Sequence, residues 1–366
     1  MIIDRKWSKV LLMLQTPFYD PNKTYEENCT DGPFGAFQDG KVYENKGNPS
    51  YKFLGYDVYL PFGIASGPLF NSKFIIASLD KGFDIVIQKT VRSRKKVANA
   101  FPNVVALDIE GDLNLEQAKA GVRVKKSFQE PLTITNSFGN PSFLPDFWQP
   151  DLKKSLSHIK NGQVLICAIE GTGDGSGNID QYVQDWVNTA MLVKETGCPI
   201  LEANTSCPNE GTNDLLCFDT KRTQQILFAI KNEIGNMPLI VKLAYFADYE
   251  KLRKLVQAIG NIVDCISVIN TIPTKVIDKN GNLFIEGRPV MGACGDGVRW
   301  AGLDMVGNLK KLKEELDMNY TIIGMGGVFN KDHYNEYLDK GANIVMSATG
   351  AMWNPYLAQE IKKSHQ

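Results

Sequence analysis

At 366 residues the chain is too long for a minimal module and short for three domains, which leaves two domains or one large barrel carrying insertions. Forty Lys+Arg stand against 41 Asp+Glu, a formal charge of -1; this excludes a phosphate-tracking surface and an acidic tail, and no nucleic-acid partner is expected. A hydrophobic content of 43% with 22% charged residues excludes disorder and supplies a sizeable core.

The first segment, 1–59, reads as an arm lying on the main body. Its turns, such as Tyr19-Asp-Pro-Asn-Lys and Asp31-Gly-Pro-Phe-Gly, are irregular. Trp7, Phe18, Phe34 and Phe37 are too apolar for a free tail. The apolar run Val10–Leu14 is shorter than a signal-peptide core, and no stretch reaches the roughly 20 apolar residues of a membrane span. Seven cysteines are scattered without C-x-x-C spacing, and there are three histidines. A disulfide framework, a metal site and a Ser-His-Asp triad are therefore not expected, and a reduced, cytoplasmic, membrane-free protein is.

From residue 60 to 366 short apolar runs alternate with longer amphipathic stretches. The strand candidates are Phe62–Ser66, Asp84–Gln88, Leu132–Thr135, Val164–Ile169, Ile200–Ala203, Leu239–Leu243, Cys265–Ile269, Thr321–Ile323 and Asn343–Met346. Helical patterns lie between them at Ile179–Thr196, Lys221–Ile234, Tyr249–Ile259 and Met305–Leu316. Continuous apolar strands alternating with helices imply buried parallel strands and crossover helices. Nine such runs suit an α/β fold of the (β/α)₈ TIM-barrel type with an N-terminal arm and inserted loops better than an open sheet.

Polar residues recur where these runs end: Lys89, Asn136, Asn204 with Cys207, Lys242, and Asn270 with Thr271. In a barrel such ends open on one face, where active sites are built. Single asparagines there also serve to satisfy turn backbone, but two buried unpaired ammonium groups would be costly without a function. Gly171-Thr-Gly-Asp-Gly-Ser-Gly fails the dinucleotide spacing, because Ser176 stands where a glycine is needed; it reads as a turn. Gly324-Met-Gly326-Gly327 and Ala348-Thr349-Gly350 close the last two strands and suit a backbone phosphate cup, with Gly292-Ala-Cys-Gly295-Asp-Gly297 as a third wall. Cys207 is the cysteine in a polar setting, Asn204-Thr-Ser-Cys-Pro-Asn209, and reads as a presented thiol able to act as nucleophile or base. The polar loop after it, through Asp214, is long enough to form a lid. These residues by themselves leave open a barrel enzyme that uses the cup for a phosphorylated sugar or pyrimidine.

Taken together, Ala65-Ser66-Gly67, Gln88-Lys89-Thr90, Asn136-Ser137-Phe138-Gly139, Asn204-Thr-Ser-Cys-Pro-Asn209, Val241-Lys242-Leu243, Asn270-Thr271 and the two glycine ends resemble the dihydroorotate dehydrogenase family. The likeness is to its soluble class 1 branch, in order from Leu60 to Ile361. The resemblance implies an FMN-dependent barrel that oxidises (S)-dihydroorotate to orotate in pyrimidine biosynthesis, and a homodimer. It implies Cys207 as the base that removes the C5 proton. Lys89 would contact flavin and substrate, and Lys242 the flavin near N1. Asn136, Phe138, Gly139, Asn204, Asn209, Asn270 and Thr271 would line the pyrimidine site. Ala65, Ser66, Gly67, Lys89, Asn204, Lys242, Asn270, Gly292, Gly295, Gly326, Gly327, Ala348 and Thr349 would hold FMN. A thiol with a near-neutral pKa suits such a base. The loop after Lys89, Thr90-Val-Arg-Ser-Arg-Lys-Lys-Val, departs from the family's Pro- and Arg-rich run, and Phe138 and Asn140 depart from its usual Met and Leu. A related dihydropyrimidine-type oxidoreductase and a flavin-binding paralogue with another substrate are the alternatives. No motif names the second electron acceptor, and an electron-transfer partner stays open.

Overall fold

A computed structural model describes residues 16–207 and 214–364. In chain order the arm carries helix α1 (Tyr25–Asp31) and a hairpin of β1 (Tyr51–Phe53) and β2 (Tyr56–Val58). There follow β3 (Phe62–Ile64), α2 (Ser72–Asp80), β4 (Ile85–Val91), β5 (Ala106–Leu107), α3 (Leu115–Ala120), β6 (Val122–Lys125) and β7 (Thr133–Asn136). Next come α4 (Pro145–Leu156), β8 (Val164–Ile169), α5 (Ile179–Lys194), β9 (Ile200–Asn204), α6 (Thr220–Ile234), β10 (Leu239–Leu243), α7 (Tyr249–Ile259) and β11 (Cys265–Val268). The chain ends with β12 (Ile272–Ile277), β13 (Val290–Gly295), α8 (Arg299–Glu315), β14 (Thr321–Met325), α9 (Lys331–Lys340), β15 (Ile344–Ser347), α10 (Thr349–Trp353) and α11 (Leu357–Lys363).

Eight parallel strands close into a barrel in the order β3-β4-β8-β9-β10-β11-β14-β15. This is the expected (β/α)₈ architecture. The ninth apolar run is the exception. Leu132–Thr135 becomes β7 of a second, five-stranded closed sheet, β12-β13-β7-β5-β6, where it pairs antiparallel with β13 and β5. Its strands come from two insertions, one between β4 and β8 and the other between β11 and β14. A short apolar run does not reveal its partner, so the periodicity that marks a barrel strand marks this cap strand equally well.

Alternation along each barrel strand sorts its side chains. Ile85 and Ile87, Ile166 and Ala168, Ile200, Ile240 and Cys265 fall in one buried cluster inside the barrel. The intervening Val86, Leu165, Leu201, Val241 and Ile266 belong to the outer layer beneath the helices. Phe53 and Val58 of the hairpin join the inner cluster, so the hairpin plugs the barrel's N-terminal end. Each large apolar side chain so buried contributes about 1.5–3 kcal/mol.

The arm is part of the same core. Phe18 is fully buried against Phe37 and Phe74, with ring centroids 4.5 and 5.2 Å apart, and its amide donates to the Met352 carbonyl. Helix α1 starts in a reciprocal capping box between Thr24 and Glu27. Phe34 is half-buried, and Trp7 lies outside the described residues.

At the N-terminal end a buried ion pair joins the last helix to the barrel. Lys362 Nζ donates to Asp84 Oδ1, Asn45 Oδ1 and the Gly82 carbonyl, each at 2.7 Å, while Asp84 Oδ2 accepts from the Leu60 amide at 2.8 Å. Burial pushes the Asp84 carboxyl up to about 6 despite the ammonium beside it. Lys362→Met leaves that carboxylate buried and unpaired, so a loss of about 3–5 kcal/mol is expected at pH 8 in urea unfolding. Because the folded-state carboxyl titrates above its usual value, the loss should shrink below pH 6, where Asp84 takes a proton. An equal loss at pH 5 and pH 8 would contradict the pairing.

Candidate active site

The inward phase of the barrel strands changes character one step above the apolar layer. After Ile85 and Ile87 the next inward residue of β4 is Lys89; after Ile200 on β9 come Glu202 and Asn204; after Ile240 on β10 comes Lys242; after Cys265 on β11 comes Ser267. On β8 the sequence Val164, Ile166, Ala168 continues to Glu170, just past the strand. A strand period of two thus delivers one polar layer to the C-terminal rim.

That layer opens into a cleft of about 410 Å³, within the range of cofactor and substrate pockets. Lys89, Asn204 and Lys242 reach it from the barrel, and Cys207, Asn270 and Thr271 from the loops after β9 and β11. Ser66 and Gly67 lie on the turn after β3. Asn136, Gly139 and Gly292 come from the cap, with Asn136 in register with Gly292 across β7 and β13. Eleven of the sequence-selected residues therefore converge, from both sheets. Asn136 does so from the cap rather than from a barrel strand.

Seven others lie outside the cleft wall. Ala65 is buried in the barrel's inner cluster, its amide donating to the Ser347 carbonyl at 3.1 Å. Gly295, Gly326, Gly327, Ala348 and Thr349 form adjoining turns: a Cβ on Gly327 would sit 3.0 Å from the Gly295 carbonyl, and Cys294 hydrogen-bonds Thr349. Phe138 is buried with Tyr19, Tyr25 and Phe70, and its ring faces Lys89 instead of lining the cleft. Asn209 and the expected lid lie outside the described residues. The glycine run after β8 is a turn, as its spacing indicates: the Gly171 carbonyl accepts from Arg92, and a Cβ there would strike the Trp186 ring.

The two rim lysines differ in their partners. Lys242 Nζ donates to Glu202 at 2.9 Å and to Ser66 Oγ at 2.8 Å, both buried. Two of its three donors are used, leaving one for a ligand acceptor. Lys89 Nζ donates to the Gly67 carbonyl at 3.1 Å and otherwise sits over the rings of Phe70 and Phe138, 5.5 and 5.3 Å from their centroids. Burial, and then the nearby Lys242 ammonium, bring its pKa down to about 8. Cation–π contacts return only part of the lost hydration.

Two asparagines are held by their neighbours. Asn204 donates to Thr90 Oγ1 at 3.2 Å and accepts from Ser206 Oγ at 2.8 Å, while Asn270 donates to the Ser206 carbonyl at 3.4 Å. Cys207 is not presented to solvent. It is 2% exposed and donates to the Asn204 carbonyl at 3.2 Å. Burial and then the Glu170 carboxylate push the thiol well above its usual range. The near-neutral thiol expected from its polar sequence setting is thereby corrected: desolvation outweighs the polar neighbours.

Several cleft residues carry no sequence motif. Arg288 of the insertion before β13 donates to the Pro102 carbonyl at 2.9 Å and to Ser137 Oγ at 3.1 Å, tying the segment after β4 to the cap. Glu170 is 4% exposed, pairs with Arg92 and accepts from Asn140 Nδ2 at 2.8 Å. The inward phase of β8 is the signal that identifies it.

A family profile described as dihydroorotate dehydrogenase matches residues 50–365. The dihydroorotate dehydrogenase of Dictyostelium discoideum is 33% identical over 95% of this chain and 97% of that one. The catalytic subunit of dihydroorotate dehydrogenase B (NAD(+)) from Desulforamulus reducens is 31% identical over 67% of this chain and 75% of that one. In fold, the chain matches the crystal structure of DHODH in complex with ferulenol from Eimeria tenella with a TM-score of 0.67 at 18% identity, over 88% of this chain and 85% of that one.

The chain belongs to the dihydroorotate dehydrogenase family. It is accordingly a flavin-dependent oxidoreductase, with FMN as cofactor, that oxidises dihydroorotate in pyrimidine biosynthesis.

The residues present fit that cofactor. Gly67 has open space where a Cβ would stand, its nearest neighbour being Asn136 Nδ2 at 3.8 Å, so a flat ring system can lie against it. Lys242 retains a donor for an electron-rich edge, and the glycine turns at 295, 326 and 327 bring three backbones together. Gly327 has φ +65°, and a Cβ there would lie 2.6 Å from Arg299 Cβ. Gly327→Val should therefore distort this turn and yield protein with well under half the wild-type FMN content but unchanged far-UV circular dichroism. A full complement of FMN in that variant would remove the turn from the cofactor site.

Proposed function

We propose that the protein is a dihydroorotate dehydrogenase of the class 1 type, in which Cys207 removes the C5 proton of (S)-dihydroorotate. The convergence of Cys207, Lys89 and three asparagines on one cleft above Gly67 carries this reading. FMN, when bound, supplies the acceptor for the hydride that leaves C6. Every other role falls to the chain.

Asn136, Asn204 and Asn270 each offer a donor and an acceptor on one short arm, which suits a pyrimidine ring that alternates N–H and C=O groups. The amide of Asn204 is held on both sides, by Thr90 and Ser206, so its donor and acceptor ends are fixed before substrate arrives. Lys89 is a buried cation with one carbonyl partner, and a substrate carboxylate is the anion that would complete it. Lys242, already paired with Glu202, holds one positive charge where electron density accumulates. The sulfur of Cys207 sits in the cleft wall, where a C–H proton can reach it without competition from bulk water.

Cysteine at the base position and the resemblance of the Asn204–Asn209 string to the soluble branch support the class 1 assignment. Among the described residues no helix is long and apolar enough to cross a membrane.

Anaerobic addition of dihydroorotate should bleach the flavin absorbance of the purified protein within one turnover. Cys207→Ser should retain FMN and slow that bleaching about 10²–10⁴-fold, the usual span of a general base. Bleaching by dihydrouracil but not by dihydroorotate would overturn the substrate, and a wild-type rate in Cys207→Ser would overturn the base.

A further inference from the structure

Beneath the Lys242 ammonium, on the barrel side, lies a carboxylate that is not part of the cleft wall. Glu202 is fully buried and does not line the cleft, whereas Lys242 does. Strand register sets its place: Glu202 of β9 stands opposite Ile240 of β10, one inward step below the pair Asn204 and Lys242. Glu202 Oε1 accepts from Lys242 Nζ at 2.9 Å, and Ser66 Oγ accepts from the same nitrogen at 2.8 Å. The other carboxylate oxygen, Oε2, is buried with no hydrogen-bond partner among the described residues. An anion so sparsely held is costly to install. Its register neighbours in the inner layer, Ala168 of β8 and Ile240 of β10, are apolar. Packing alone does not call for a carboxylate at this depth.

We infer that Glu202 is a positioning residue for the flavin: it keeps the Lys242 ammonium charged and aimed into the cleft, and so sets how strongly the site holds negative charge on a bound flavin. The inference rests on the reading of Lys242 as the cation at the flavin's electron-rich edge. Glu202 acts only through that lysine. From below it takes one donor and offsets the charge, Ser66 takes the second, and the third is left for a ligand acceptor.

Lys89 shows the same group without such a partner. It leaves β4 at the same rim, meets one carbonyl and two rings, and burial brings its pKa down to about 8. Lys242 stripped of Glu202 would be a second ammonium of that kind, with Lys89 as a like charge nearby. The other titratable groups near the pair are Cys167 of β8 and Cys265 of β11. Burial holds both thiols well above their usual range, so neither replaces the lost anion near neutrality.

Sulfite reads this charge without turnover. Its sulfur lone pair bonds to N5 of oxidised FMN, nothing leaves, and the added negative charge spreads to the N1 edge, as it does on reduction. The sulfite Kd is measured from the loss of flavin absorbance in FMN-loaded wild type and Glu202→Gln, at pH 6 and pH 9. The titrations of sulfite itself and of Lys89 occur in both proteins and cancel in the ratio at each pH. At pH 6 the variant's Lys242 keeps its proton and has lost the offsetting anion, so sulfite should bind about tenfold more tightly than in the wild type. At pH 9 that lysine is largely neutral, and sulfite should bind about tenfold more weakly. The flavin midpoint potential should follow, above the wild-type value at pH 6 and below it at pH 9. Glu202→Asp, which keeps the anion, should show no reversal. A Glu202→Gln effect of the same sign at both pH values would overturn the inference.

If Glu202→Gln fails to retain FMN, Glu202→Ala carries the test, and an effect without reversal there would overturn the inference equally. Lys242→Met separates this role from the reading beneath it, since sulfite affinity at pH 6 should fall at least about tenfold. Unchanged affinity would remove Lys242 from the flavin edge. A fall in Lys242→Met beside a Glu202→Gln effect that does not reverse would sink the role of Glu202 alone.

Discussion

The site depends on a positive charge held nearly out of water with too few partners. Lys89 leaves β4 at the rim, gives one hydrogen bond to Gly67 and meets the faces of Phe70 and Phe138. An ammonium in such surroundings retains its proton only weakly, and its pKa falls to about 8. Among the described residues no carboxylate lies within ion-pair distance of it, which fits the proposed role of anion receptor. The N-terminal arm enters here: Tyr19 and Tyr25 pack on Phe70 and Phe138, the two rings that face the lysine. The arm is thereby a wall of the lysine's cage, two layers from the chemistry.

Lys242 shows the opposite solution at the same height of the barrel. Its charge is matched by Glu202 on the neighbouring strand, so the rim carries one compensated and one waiting cation. The proposed flavin and carboxylate contacts call for those two different electrostatics. Both follow from a strand period of two, which sets Lys89, Lys242, Glu202 and Glu170 one inward step above an apolar layer. The cap then closes the cleft from above with Asn136, Gly139 and Gly292, and Arg288 ties the segment after β4 to it.

Much of this is legible in the chain. The eight barrel strands show themselves as continuous apolar runs, and Lys89, Asn204, Lys242 and Asn270 as the polar residues that end them. What pairing decides is not legible. Leu132–Thr135 has the same apolar signature as a barrel strand, yet its partners are β13 and β5, and Asn136 arrives at the cleft from above. Phe138 reads as a substrate contact from its place beside Asn136 and Gly139 in the chain, but in the bend after β7 its ring is turned to Lys89. Cys207 sits among polar residues in sequence and among buried ones in space, so its thiol is pushed up instead of down. Glu170 escapes notice because the glycine run after it draws attention to a loop, whereas its meaning lies in the β8 period before it.

Proton uptake on ligand binding tests the central claim most directly. If Lys89 is a half-neutral receptor that a carboxylate completes, orotate binding to the FMN-loaded protein must pull a proton from the buffer. Calorimetric titrations in buffers of different ionisation enthalpy should give an uptake of about half a proton at pH 8, rising toward about one at pH 9 and vanishing near pH 6.5. The uptake should be lost in Lys89→Met. Binding that is buffer-independent at pH 8 and 9 in the wild type would contradict the account.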